Sequence, residues 1–134
     1  MIAFDRGFTM GNITNSTFID SGNDGIDVSG STLSLANIVI ENPADKGLSA
    51  GEGSTMTGHN IKVSKDEIGV VSKDLSTISL TDVTIEHTRL GIPCFQKKSE
   101  FGPGIVYLKK LRLTGIEVPY LIAENSDLII DGVV

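Results

Sequence analysis

Tryptophan is missing from this 134-residue chain, cysteine occurs once, and aromatic residues make up only 5% of it. A single cysteine, Cys94, excludes an internal disulfide and a cysteine-based metal site. Following Pro93 in an apolar setting, it reads as a small core residue. No apolar run approaches the ~18 residues that a membrane-spanning helix needs. The opening MIAFDRGFTM lacks the basic-then-apolar layout of a secretory leader, which a mature or excised chain would lack as well. Basic residues are few, 11 against 17 acidic. The resulting net charge of −6 excludes nucleic acid as a natural partner. A chain of this length is one domain with a modest core. With so few large rings, that core must be made of small branched side chains, and the 15 glycines supply turns.

The charge is unevenly placed. Residues 1–60 hold seven acids against Arg6 and Lys46, whereas 95–112 hold Lys97, Lys98, Lys109, Lys110 and Arg112 against Glu100. The basic cluster suits an acidic glycan or a solvated face.

What is abundant is repetition. Gly25, Gly47, Gly69 and Gly91 are each 22 residues apart, and each is followed by an apolar residue, Ile26, Leu48, Val70 and Ile92. STLSLANIVIEN (31–42), STMTGHNIKVSK (54–65) and STISLTDVTIEH (76–87) align without gaps. The alignment superposes Ile38 on Ile61 and Val83, and Asn37 on Asn60 and Asp82, with Asn15 one period earlier. Apolar residues alternate with period two over short runs punctuated by Gly, Asn, Asp and Ser. No helical period is sustained. A period in the low twenties without helical phase means stacked β coils. The fold expected is all-β, a right-handed parallel β-helix of about five coils, forming one domain over residues 1–134. Two inward stacks are predicted, Ile26–Leu48–Val70–Ile92 and Ile38–Ile61–Val83–Leu111. The Asn/Asp column is predicted to be a polar ladder at a bend, bonding backbone groups left unpaired there.

The fourth coil is longer by about six residues, placed in a loop over 95–104 (FQKKSEFGPG). A solenoid insertion projects from one face, often the binding face. Phe95, Lys97, Lys98 and Phe101 on it could stack on a sugar and pair with its acidic groups. The final NSDLIIDGVV begins another coil and stops within it, and no amphipathic helix precedes the first coil. Uncapped coils expose strand edges, so the chain is expected to be a section of a longer β-helix or to associate end to end.

NDGIDVSGSTLSLANIVIENPADKGLSAGEGS resembles the active-site region of polygalacturonases and related pectin-cleaving enzymes, right-handed parallel β-helices. The resemblance spans roughly residues 10–90, and the coil pattern is also similar to bacterial surface β-helix proteins. It implies an extracellular or cell-surface setting and an acidic polysaccharide or surface glycan as partner. It matches Asp24 to the aspartate before Gly-Ile-Asp, and Asp45 to the first aspartate of the family's Gly-Asp-Asp pair, the proton donor. Lys46 stands where the second aspartate belongs, Glu67 where the family has histidine, and no Arg-Ile-Lys follows. Inverting hydrolysis needs one protonated and one ionised carboxyl about 6.5–9.5 Å apart. Lys46 would hold Asp45 ionised and oppose the donor role.

A lyase reading stands beside it, because lyases of this fold use Ca²⁺ held by stacked carboxylates with Lys or Arg as base. Asn23, Asp45, Glu67 and Arg89 fall two residues before the repeat glycines, with Asp24 and Asp27 beside them. The same column also reads as a surface ion-pair ladder, with no metal. The candidate site is therefore Asp24, Asp45 and Lys46 for chemistry, with Asp27, Glu67, Arg89 and the loop residues for binding. The reading favoured is a non-catalytic domain for glycan contact or surface architecture. The alternative is a pectinase-like hydrolase or a Ca²⁺-dependent lyase.

Overall fold

A computed structural model describes residues 4–7, 10–95, 104–122 and 126–133. The described residues form ten strands and no helix: β1 (Phe4–Gly7), β2 (Met10–Ile19), β3 (Ile26–Ser29), β4 (Thr32–Glu41), β5 (Lys46–Gly51), β6 (Thr55–Ser64), β7 (Ile68–Lys73), β8 (Thr77–Phe95), β9 (Ile105–Ile122) and β10 (Asp127–Val133). Every pairing is parallel, each strand lying on its counterpart one coil away. The protein is a parallel β-solenoid of about five turns with a repeat near 22 residues.

Each coil is bent at three places, and the sequence shows why. One residue, or two in succession at the third bend, takes left-handed backbone at matching positions in successive coils. One bend carries Asn15, Asn37, Asn60, Asp82 and Lys110; a second carries Asp20, Asn42, Lys65 and His87, continued by Gly115 at φ 66°. The third carries Gly30, Glu52, Gly53, Asp74 and Leu75. One left-handed residue breaks an extended strand sharply, and Asn and Asp tolerate that region best because their short side chains find local hydrogen bonds. Asn37 donates to Asn15 Oδ1 at 2.7 Å and Asn60 donates to Asn37 Oδ1 at 2.8 Å. This ladder is exposed and runs amide to amide, not to backbone as the sequence suggested, because water can serve the backbone groups of an exposed bend. Asp82 leaves the ladder and pairs with Arg112 at 2.7 Å.

Inside, like stacks on like. Ile38, Ile61, Val83 and Leu111 are paired in register and at most 1% exposed. Ile26 pairs with Leu48 and Leu48 with Val70, and the register of Ile68 on Leu90 sets Ile92 above them. All four are fully buried. Both predicted stacks are present. The repeat glycines have a steric cause: a Cβ on Gly47 would lie 2.7 Å from the Gly69 carbonyl oxygen and against Val63. On Gly25 it would lie 2.6 Å from Ile40 Cγ2. The turn must pass that close for one coil to seat on the next. A buried serine ladder marks the third bend, with Ser54 Oγ accepting from Ser31 N–H at 3.1 Å and Ser76 Oγ from Ser54 N–H at 3.0 Å.

The register steps by 22 residues at Lys73 on Phe95 and by 28 at Thr77 on Ile105. Six additional residues thus enter between Phe95 and Ile105. Lys97, Lys98 and Phe101 lie outside the described residues, and so does most of the 95–104 segment.

Candidate functional site

Two places on the solenoid gather polar side chains. The first is the corner that the sequence singled out, where the chain enters β3, β5 and β7. Lys46 extends its ammonium between two carboxylates, 2.8 Å from Asp45 Oδ2 and 3.6 Å from Asp24 Oδ1. Asp24 is buried and also accepts the Lys46 backbone N–H at 3.1 Å. Burial works against the Lys46 charge. The hydrogen bond to Asp45 and the fields of Asp24, Asp45 and Asp27 outweigh it and raise the lysine above its ordinary value. One coil on, Glu67 and Arg89 form a half-exposed ion pair. Asp24 and Asp45 thus face Lys46, and Glu67 faces Arg89.

This arrangement fits neither chemistry that the resemblance implies. A proton donor must turn its carboxyl toward the substrate, yet the Asp45 carboxyl is engaged by the Lys46 ammonium at 2.8 Å. Ca²⁺ needs several oxygens turned on one point, whereas Lys46 sits between Asp24 and Asp45 and Arg89 pairs with Glu67. Among the described residues no group of three His, Cys, Asp or Glu could hold a metal ion. Asp27 sits further along β3 and lines a separate small cavity with Glu52, Lys73 and Asp74. Phe95 ends β8, and Lys97, Lys98 and Phe101 fall outside the described residues. In the column that continues from Asp27, the outward positions Ser49 and Val71 are fully buried.

Sequence reasoning missed a buried acid at the same corner. Asp66 is 7% exposed, accepts a hydrogen bond from Thr88 Oγ1 through Oδ1, and leaves Oδ2 without a partner. Burial pushes its carboxyl up to about 6, against the opposing pull of Thr88 and its own backbone N–H.

The second place, also missed, is the outer face of the first halves of β2, β4, β6, β8 and β9, together with β10. Strand alternation points two columns outward. One runs Asn12, Ser34, Thr57, Ser79, Tyr107, Ile129, and its neighbour runs Thr14, Ala36, His59, Thr81, Lys109, Asp131, each pair in register. Between them lies an open depression of about 490 Å³ over the first four coils, continued past Ser79 and Thr81 by one of about 170 Å³. One position beneath the depression stands apart. In the inward column Leu35, Gly58, Leu80, Leu108, only β6 lacks a side chain. A Cβ on Gly58 would lie 2.8 Å from the Leu35 carbonyl oxygen, so the β6 backbone sits close to its neighbour there and is half-buried. Ser34 and Thr57 hydroxyls lie 3.5 Å apart along its wall. The signal was legible: in STLSLAN, STMTGHN and STISLTD the outward positions are small or hydrogen-bonding in every coil, with one glycine at a core position.

Comparisons with family models, with curated proteins and with solved structures give no match to this chain.

Proposed function

We propose that this chain is a non-catalytic, carbohydrate-associated β-solenoid, a surface or extracellular scaffold of polygalacturonase-like ancestry that contacts a glycan. The observation carrying this reading is the open groove along the solenoid, walled by hydroxyl, amide and imidazole groups over a floor containing Leu35 and a bare glycine. Sugars present alternating hydroxyls and apolar C–H faces, which such walls and floor complement. The ion-paired corner supports the non-catalytic part, since Lys46 neutralises the two acids that hydrolysis would need at different protonation states.

The test is affinity electrophoresis of the full chain through gels containing neutral or acidic polysaccharides, with reducing-sugar and unsaturated-product assays run in parallel with and without Ca²⁺. Retardation in at least one gel without product formation is expected. Product formation abolished by Asp45→Asn would overturn the non-catalytic reading, and free migration in every gel would overturn glycan contact.

A further inference from the structure

Resting on that reading of the groove, we infer that it binds a neutral, linear polysaccharide whose chain lies along the solenoid axis, crossing the strands. Three features of the groove specify this ligand.

The first is direction. The two walls are columns that run from coil to coil, and the depressions between them join at Ser79 and Thr81. Successive coils are about 4.8 Å apart, so six rungs make a trough of about 24 Å. A trough of that length is open along its axis and takes an extended chain rather than a compact sugar.

The second is charge. Among the described residues no carboxylate, lysine or arginine lines the first four rungs; the walls there are Asn12, Ser34, Thr57 and Ser79 facing Thr14, Ala36, His59 and Thr81. At the far end Lys109 and Asp131 stand on adjacent rungs with opposite sign. An acidic polysaccharide would set its carboxylates mainly against hydroxyl and amide groups, in a molecule of net charge −6. Hydroxyls and amides instead both donate and accept, which matches uncharged sugar hydroxyls.

The third is a stacking platform. Tyr107 continues the first column, is 43% exposed, and lies beside Ile129. An exposed ring of this kind offers a flat apolar face and a polar edge to a pyranose. Of the other described aromatic side chains, Phe18 is buried and Tyr120 lies in the second half of β9, so an outward tyrosine in line with a hydroxyl column is a specific feature of the groove.

Isothermal titration of the full chain with soluble mixed-linkage β-glucan, hydroxyethyl cellulose, polygalacturonate and alginate tests the proposal, each at low and high salt. Binding to at least one neutral polymer is expected, with affinity unchanged by salt. Tyr107→Ala should weaken it about tenfold, and Ser34→Trp, an exposed position where bulk blocks the trough, should abolish it. Circular dichroism checks that both variants keep the β fold. Binding to polygalacturonate or alginate alone, weakened by salt, would overturn the neutral-ligand inference and leave glycan contact standing. Neutral binding indifferent to both folded variants would overturn the groove as its site. Binding to none of the four polymers overturns the inference, and the wider gel panel then decides glycan contact separately.

Discussion

Asp66 shows how one residue can set a pH dependence. Its carboxyl is held at about 6 in the folded chain, against 3.8 for an ordinary aspartate. The folded state therefore holds the proton more tightly than the unfolded state does. The stabilisation is fully present below pH 3.8 and is lost as pH rises through about 6. The shift corresponds to about 2–3 kcal/mol at neutral pH. Asp66→Asn should thus stabilise the protein at pH 7.5 and have little effect near pH 4, read from urea midpoints at the two values. Equal midpoint shifts at both would sink the explanation. Lys46 gives the opposite case, a charge whose removal harms. Lys46→Met leaves buried Asp24 facing no cation and should cost about 1–3 kcal/mol. Adding Asp24→Asn should recover part of that loss, and a double-mutant cycle by thermal unfolding measures the coupling.

Among the elements, the bends matter as much as the strands. Asn37 takes φ 56° and sits in the middle of the amide ladder, bonded to Asn15 and Asn60. Asn37→Ala should destabilise by about 1–3 kcal/mol, from left-handed strain and lost hydrogen bonds. Asn37→Gly should cost less, because glycine removes the strain and leaves only the hydrogen-bond loss. Chemical denaturation of both variants checks the order; equal losses would show that strain contributes nothing. Lys110 occupies the same bend without an amide, so the ladder is one solution to the bend and not a requirement of it.

At the scale of the molecule, each coil is seated by its neighbours, and exposure rises where a described coil has a neighbour on one side only. Ile26, Leu48, Val70 and Ile92 are 0% exposed, yet Tyr120, which pairs with Ile92 one coil on, is 38% exposed. The second half of β9, from Arg112 to Ile122, pairs with β8 and with no other described strand. Val118, Leu121 and Ile122 are exposed along that edge. An open parallel edge with apolar side chains recruits further strands. The chain is expected to self-associate through this end as concentration rises. Leu121→Lys with Ile122→Lys should reduce association in sedimentation velocity without altering circular dichroism. A monomer at every concentration in the unmodified chain would count against the open edge as an interface.

The sequence by itself determined the solenoid. A 22-residue glycine spacing and gapless apolar columns leave one economical way to bury small branched residues, and the same columns named the core stacks residue by residue. The carboxylates Asp24 and Asp45 were legible as neighbours, because a fixed period converts sequence distance into spatial adjacency. What the period does not encode is depth and direction of side chains at irregular positions. Whether Lys46 reaches Asp24, Asp45 or Glu67 depends on how a corner is folded, and the tertiary structure gave it to the two aspartates. The burial of Asp66 depends on Gly47 and Thr88 from adjacent coils. The groove lies between two outward columns whose members are 22 or more residues apart in the chain. A surface of that kind belongs to the stack, since no single coil contains it.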